Sequence, residues 1–452
     1  MSSRLSVLKI GANYTHSLSA LSKRTMSVVI PQSEKSALFD SQYSENYLNE
    51  ASIYIHWPFC SKRCYFCNFN KYIEKNVNNV MMRNCLVKET EYLLIESGIK
   101  NVISVFFGGG TPNLAEPETI QAVLRTILNH ANVSNETEIT MEVNPFKKCP
   151  HRLEDYKNVG INRVSVGVQA LSDRSLQELG RDHSVEDALG TLREAIILFP
   201  NRTSVDILFG LPNQSLECWN ETLEMLIPLL DDHVSVYQLT LERGTKLFKM
   251  YEQGLISIPD ENVISDMFNL ASFKLRSSGF HQYEISNFSR STEACSIHNQ
   301  AYWFGKQYIG IGPGAHSRFV PKTLYEPRGM REARIQTLEP VPWMKEVQAV
   351  GHGTRLMRKQ TKREVLEEVL STGLRTAEGV TNRIWKDLYP QGITALCEHF
   401  SESPTTKWLF QNGYLTSTSG CIRATWKGWK VLDHILPYLL IELNRVLSGK
   451  GL

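Results

Sequence analysis

The chain has 452 residues, room for two or so domains, and its 49 basic and 47 acidic side chains nearly cancel. No global basic field recruits nucleic acid, and no apolar run is long enough to span a bilayer. Nine cysteines in a chain that can build its own core argue against a secreted disulfide scaffold.

In chain order, the first segment stands apart. Arg4, Lys9, Lys23 and Arg24 are basic, serine recurs, and the first acid is Glu34. This composition predicts a mitochondrial transit peptide or disordered tail over residues 1–45, and with it a mitochondrial location. A secretory signal needs a longer apolar core than residues 5–10 offer.

From residue 53 short apolar strands alternate with amphipathic stretches. Strands are expected at 53–57, 102–107, 138–143, 163–168, 204–208 and 234–239, each rich in Val, Ile or Phe. Helices are expected at 77–96, 117–130, 185–198 and 216–230. Strict alternation implies parallel strands joined by crossovers, here an α/β, partial or complete TIM-type barrel over residues 46–290.

In such barrels chemistry sits at the carboxyl ends of the strands, and the polar groups fall there. Cys60, Cys64 and Cys67 follow the first strand and Gly108 to Pro112 the second. Glu142 and Asn144 end the third, Gln169 ends the fourth, and Asp206 lies in the fifth. Thiolates spaced CxxxCxxC on one loop suit three irons of a 4Fe-4S cluster, leaving the fourth iron open. Cys64 and Cys67 alone also read as half a zinc knuckle or a redox pair, but no second CxxC completes a zinc site. Cys85, Cys149, Cys218, Cys295, Cys397 and Cys421 are scattered singly and read as buried small hydrophobes and not as ligands. The basic run Arg355, Arg358, Lys359, Lys362, Arg363 reads as a solvated linker.

The cysteine spacing, with aromatic residues just before the third, resembles the radical S-adenosylmethionine (SAM) superfamily. The resemblance implies that the open iron chelates SAM, and that the reduced cluster passes an electron to the sulfonium to form a 5'-deoxyadenosyl radical. It maps Tyr54, Phe66, Gly109, Gly110, Thr111, Glu142, Gln169, Arg181 and Asp206 onto SAM-contacting positions. Chemistry agrees, since Glu142 complements an ammonium, Arg181 a carboxylate, and Gln169 and Asp206 ribose hydroxyls.

Further motifs narrow the resemblance. His56-Trp57-Pro58-Phe59-Cys60, Glu142-Val143-Asn144-Pro145, Val166-Gly167-Val168-Gln169, Gly180-Arg181-Asp182-His183 and Asp206 to Pro212 look like the coproporphyrinogen oxidase-like branch. That branch holds oxygen-independent coproporphyrinogen III dehydrogenases and HemW haem chaperones. The dehydrogenases carry a further cysteine two residues after the third ligand, where this chain has Phe69, which favours the chaperone. His298-Asn299-Gln300-Ala301-Tyr302-Trp303 resembles the HNxxYW signature of HemW proteins, with His298 as a candidate haem ligand and Tyr302 and Trp303 packing on the porphyrin. His316 and Cys295 are alternative ligands nearby.

Residues 291–360 then read as the HNxxYW segment and a connector. Beyond residue 361 helices predominate, with a short β element at 413–415 and 422–425. A winged helix binding DNA is one reading; without a basic recognition helix, the small helical C-terminal domain of the HemW-like family, residues 361–452, is preferred. The resemblance implies a mitochondrial haem chaperone with a 4Fe-4S cluster, SAM and haem as cofactors. Its expected partners are haem-accepting proteins and an electron donor for the cluster, it admits a homodimer, and it lacks coproporphyrinogen dehydrogenase activity. The alternative is the dehydrogenase itself.

Overall fold

A computed structural model of the chain describes residues 43–146, 150–322, 330–388, 400–418 and 421–449. The expected transit peptide, apart from its last three residues, lies outside them, as do Cys149 and Cys397.

Six strands and their intervening helices form where the alternation placed them: β1 Glu50–Trp57, β2 Asn101–Gly109, β3 Glu138–Val143, β4 Arg163–Gln169, β5 Thr203–Phe209 and β6 His233–Gln238. Side chains on a strand alternate between its faces, so each strand has two jobs. One set, including Ile53, Ile55, Val105, Phe107, Met141, Val143, Val164, Val166, Val205 and Ile207, is buried in the main hydrophobic core with the helices. The opposite set is polar: Ser52, Tyr54 and His56, then Ser104, Glu138, Glu142, Ser165, Asp206 and Ser235.

Local chemistry sets the helix limits. Asn79–Ser97 starts two residues later than expected because Asn78 is its cap, the side chain accepting from the Met81 amide. The helix expected at 216–230 is α-helical only over Leu216–Leu226 and continues as a single 3-10 turn at Ile227–Leu229. Pro228 has no amide hydrogen and its ring crowds the preceding turn.

Six more strands extend the sheet: β7 His281–Gln282, β8 Asn287–Ser289, β9 Gln307–Ile311, β10 His316–Phe319, β11 Glu332–Gln336 and β12 Thr354–Lys359. The order is β12-β11-β10-β9-β1-β2-β3-β4-β5-β6-β8-β7. Strands β9 and β1 to β6 are parallel; both flanks are antiparallel. The edge strands β12 and β7 do not pair, so the barrel is partial and the complete TIM form is excluded. Residues 291–360, expected as a connector, contribute four strands to this sheet.

The amino-terminal mouth of the barrel is filled by the helix Ile297–Trp303. Its first amides, Ile297 N and His298 N, donate to the Glu138 carboxylate at 3.2 and 3.0 Å. Glu138 and Arg163 approach to 3.5 Å with both side chains buried, and Arg163 Nη2 donates to the Ala294 carbonyl at 2.9 Å. Each of these groups opens a parallel strand or enters the plugging helix, so the barrel floor is a buried polar layer in which Arg163 Nη1 meets Glu138 only as an ion pair, without a hydrogen bond.

The C-terminal unit has its own core, including Leu366, Val369, Leu370, Trp385, Leu409, Ile422, Leu439 and Leu443, into which Tyr43, Tyr47 and Leu48 also pack. Its β content exceeds the expected short element: Val380–Thr381, Cys421–Ala424 and Leu415–Thr418 form a three-stranded antiparallel sheet with Cys421–Ala424 central. Among the described residues, a helix, a strand, further helices and a hairpin follow one another in the order of a winged helix. The helix before the hairpin, Pro404–Gln411, carries one cation, Lys407, and an exposed Trp408.

A buried ionic junction ties this unit to the sheet. Glu368 meets Arg331 Nη2 at 3.0 Å and Arg318 Nε at 3.3 Å and accepts from Gln360 Nε2 at 3.0 Å, while Arg331 Nε donates to Gln360 at 2.8 Å. Burial alone would raise the Glu368 carboxyl, yet the two guanidiniums hold it below its ordinary value. Removing the carboxylate would strand Arg331, which is fully buried. Glu368→Ala is therefore expected to cost about 3–5 kcal/mol, read as a lowered denaturant midpoint; a loss no larger than a surface ion pair's would show that the junction relaxes freely.

Candidate functional site

The loop after β1 carries the three cysteines. Cys60 is buried, and Cys64 and Cys67 are half-buried, facing the carboxyl rim. Gly110 packs against this loop so closely that a Cβ would lie 2.8 Å from the Phe59 carbonyl oxygen, and its amide donates to Trp57 O at 2.7 Å. Only glycine permits that approach, which ties the second-strand loop to the cysteine loop.

Two of the sulfurs already receive donors. Thr111 Oγ1 donates to Cys60 Sγ at 3.3 Å, and Arg181 Nη1 to Cys64 Sγ at 3.3 Å. Burial pushes the Cys60 thiol up to about 11, against the Thr111 bond, which stabilises the thiolate. Thiolate ligands of iron-sulfur clusters are held in this way, by hydrogen bonds to sulfur in a partly water-excluded loop, so the residues present fit such a cluster. No group of three His, Cys, Asp or Glu among the described residues converges as on a single ion. In a cube each thiolate binds its own iron, and the sulfurs need not share one point.

Below the loop two carboxyls share the barrel interior. Glu142 Oε2 accepts from the Gly109 amide at 3.1 Å, and Asp206 accepts from Ser165 Oγ at 3.0 and 3.2 Å. Among the described residues neither forms an ion pair. Desolvation, then the neighbouring Asp206, pushes Glu142 to about 8; desolvation pushes Asp206 to about 6, opposed by Ser235 and Ser165. Tyr54 lies close enough to Glu142 to be raised by it, after burial. An enclosed acid pair lacking a counter-charge suits a ligand that brings positive charge. Arg181 is mostly buried, and its Nε has no hydrogen-bond partner, leaving a donor for an anion.

The remaining rim residues converge on the same place. Gln169 ends β4 in the left-handed region at φ 67°, sparsely populated for a residue with a side chain. A Cβ on Gly167 would lie 2.9 Å from Gln169 Nε2 and 3.1 Å from Asn144 Oδ1, so the bare glycine makes room for both. Phe66 packs against a small hydrophobic cluster that includes Ala170, Leu176, Leu179 and Leu208. Asn144, known from the sequence only as the end of β3, lies at the centre of this network. It stands two residues after Glu142, hence on the same strand face.

His298 is elsewhere. It sits at the barrel floor, 2% exposed, stacked on Phe106 at 4.8 Å between ring centres. Its Nδ1 lies 2.9 Å from Ser104 Oγ and its Nε2 3.2 Å from Tyr302 OH. Ser104 donates its own proton to Ser52 Oγ at 2.9 Å, which places the ring proton on Nδ1 and the lone pair on Nε2. Burial lowers its pKa to about 3, so the imidazole is neutral. Cys295 is buried at the same floor, 3.1 Å from Ser289 Oγ. His316 is half-buried and close enough to His56 to lower its pKa further.

Comparison with known proteins shows the family and the fold. The sequence model of the radical SAM superfamily matches residues 54–226, and that of the HemN C-terminal domain matches residues 360–431. The chain is 49% identical over 403 residues to radical S-adenosyl methionine domain-containing protein 1, mitochondrial, of Danio rerio, spanning 89% of this chain and 90% of that protein. It is 30% identical to heme chaperone HemW of Bacillus subtilis (strain 168), over 81% of this chain and 95% of the relative. Coproporphyrinogen III oxidase (HemN) from Escherichia coli, at 20% identity, superposes with a TM-score of 0.70 over 87% of this chain and 92% of that one, which shows the shared fold.

Glu142 gives stability a pH dependence of known sign. Its carboxyl stands at about 8 in the fold against 4.5 ordinarily, so between those values unfolding releases a proton. Stability falls as pH rises through that window and levels off above it. Denaturation of parent and Glu142→Gln across the window is expected to show a difference in slope that disappears above about pH 8. Parallel curves would mean that another group carries the titration.

Proposed function

Because this chain belongs to the HemW family of radical SAM proteins, we propose that it is a mitochondrial haem chaperone that holds a 4Fe-4S cluster and SAM and passes haem to acceptor proteins. One observation carries the choice of chaperone over dehydrogenase: Phe69, 59% exposed, occupies the position where the resembling dehydrogenases have a further cysteine. In domain terms, we propose residues 1–45 as the targeting segment, 46–290 as the radical SAM barrel, 291–360 as the HNxxYW segment and connector, whose strands extend the barrel sheet, and 361–452 as the C-terminal domain.

In this reading Cys60, Cys64 and Cys67 hold the cluster, which when bound and reduced supplies an electron to the SAM sulfonium. Arg181 holds the SAM carboxylate, Glu142 faces its ammonium, and Gln169 and Asp206 take ribose hydroxyls. Tyr54, Phe66, Gly109, Gly110 and Thr111 complete the contact set. The raised carboxyl of Glu142 supports this role, because a cationic ligand beside it favours the carboxylate and supplies a counter-charge.

The electron donor is proposed to meet the cysteine loop. Residues 61–75 expose Lys62, Arg63 and Lys75 against a single acid, Glu74, together with Phe69 and Ile73, whereas Lys71 is buried with its ammonium on the Cys67 carbonyl. That combination suits an acidic protein surface. For haem, His298 is proposed as the ligand in an opened state. Its Nε2 carries the lone pair and is held only by Tyr302, while Ser104 fixes the other nitrogen, as partners of ligating histidines do.

Anaerobic reconstitution tests the core of the reading. Wild type should take up iron and sulfide, bind haem, and convert no coproporphyrinogen III; robust conversion would transfer the assignment to the dehydrogenase. A Cys60→Ala, Cys64→Ala, Cys67→Ala variant that kept the same iron content and spectrum would end the cluster assignment.

Two substitutions probe the ligand sites. Arg181→Ala should weaken SAM binding by about tenfold to a hundredfold, the loss of a charged hydrogen bond, and unchanged affinity with the cluster intact would remove that residue. His298→Ala should alter the Soret band or the haem affinity. If neither moves, ligation passes to His316 or Cys295.

A further inference from the structure

We propose that Asn144 is a positioning residue that aims two hydrogen bonds at the cluster cysteines and thereby raises the cluster's reduction potential. The geometry is an unbroken chain between two thiols. Thr111 Oγ1 donates to Cys60 Sγ at 3.3 Å, and Asn144 Nδ2 donates to Thr111 Oγ1 at 3.0 Å. Arg181 Nη2 donates to Asn144 Oδ1 at 2.9 Å, and Arg181 Nη1 donates to Cys64 Sγ at 3.3 Å.

The direction of every bond follows from donor chemistry. A guanidinium has donors and no acceptor, so the Asn144 atom facing Arg181 must be the amide oxygen. The amide nitrogen then faces Thr111 and donates to its hydroxyl. With that oxygen engaged as an acceptor, the hydroxyl proton is turned to Cys60 Sγ. One side-chain amide thus fixes the direction of the Thr111 bond at one end and the position of the Arg181 guanidinium at the other.

Asn144 is itself held in place. Its backbone amide donates to Asn113 Oδ1 at 3.1 Å, and Asn113 Nδ2 returns a bond to the Asn144 carbonyl at 3.0 Å. Thr111 and Asn113 are almost fully buried, so water does not compete for these bonds. Donors to the ligating sulfurs stabilise the more negative, reduced cluster, and therefore raise its potential. Because Arg181 is also the proposed partner of the SAM carboxylate, arrival of that ligand is felt along the same chain.

The proposal rests on the reading that Cys60, Cys64 and Cys67 hold the cluster, and iron and sulfide analysis of the parent protein tests that reading separately. The test proper is a spectroscopically monitored redox titration of reconstituted parent, Thr111→Val, Thr111→Ser and Asn144→Leu, without SAM. Thr111→Val and Asn144→Leu are expected to retain the parent's iron content and to shift the midpoint potential to more negative values. Thr111→Ser, which restores the hydroxyl, should titrate with the parent. An unshifted Thr111→Val, or a Thr111→Ser shifted as far as Thr111→Val, would overturn the proposal. So would iron lost from Thr111→Val and kept in Thr111→Ser, which would assign the hydroxyl to retention of the cluster instead of its potential.

Discussion

The fold depends on one buried carboxylate, Glu138. A partial barrel with a polar interior has to close its amino-terminal mouth over buried polar groups, and Glu138 does so by accepting from two backbone amides of the helix Ile297–Trp303 and pairing ionically with Arg163. A buried charge without such partners would be costly enough to reject the arrangement. Once the helix is seated there, Trp303 O accepts from Thr372 Oγ1 at 3.0 Å, so the helix also anchors the C-terminal unit.

The chain thereby places its two signatures at opposite ends of one interior. The cysteine loop, Thr111, Asn144 and Arg181 occupy the carboxyl rim, and His298 lies on the floor, with Tyr54 and Phe106 between. Tyr54 contacts both ends: its hydroxyl lies 3.1 Å from His56 Nδ1 and its ring centre 6.3 Å from that of His298. Packing at the floor is therefore in contact with the residues expected around SAM, and any opening that frees His298 disturbs a wall of the same chamber.

Charge organises the interior between the two ends. The acid pair Glu142 and Asp206 forms no ion pair among the described residues, although Arg163 acts on Asp206 at longer range, and Arg181 is spent on a sulfur, an amide oxygen and the Gly167 carbonyl with its Nε left without a partner. An unpaired guanidinium nitrogen and an acid pair at one rim are suited to a zwitterion, and Glu142 is inexpensive to maintain because burial favours its neutral form until a cation arrives.

Much of this was legible in the sequence. Alternating apolar residues located β1 to β6 closely, because period two is imposed by the strand backbone itself, and Asn78 and Pro228 explain the helix limits by local chemistry alone. The cysteine spacing and the position of Phe69 were likewise local. What the sequence left open was decided by contacts between residues far apart in the chain. The open edges of the sheet, the joining of residues 307–359 to it and the burial of His298 depend on pairings such as Ala51 with Gln307 and Ile297 with Glu138, which no local periodicity encodes. The role of Asn144 is the clearest case: its type and strand position were visible, but its function lies in an amide oriented by Arg181, thirty-seven residues away, and that orientation exists only once the strands are folded together.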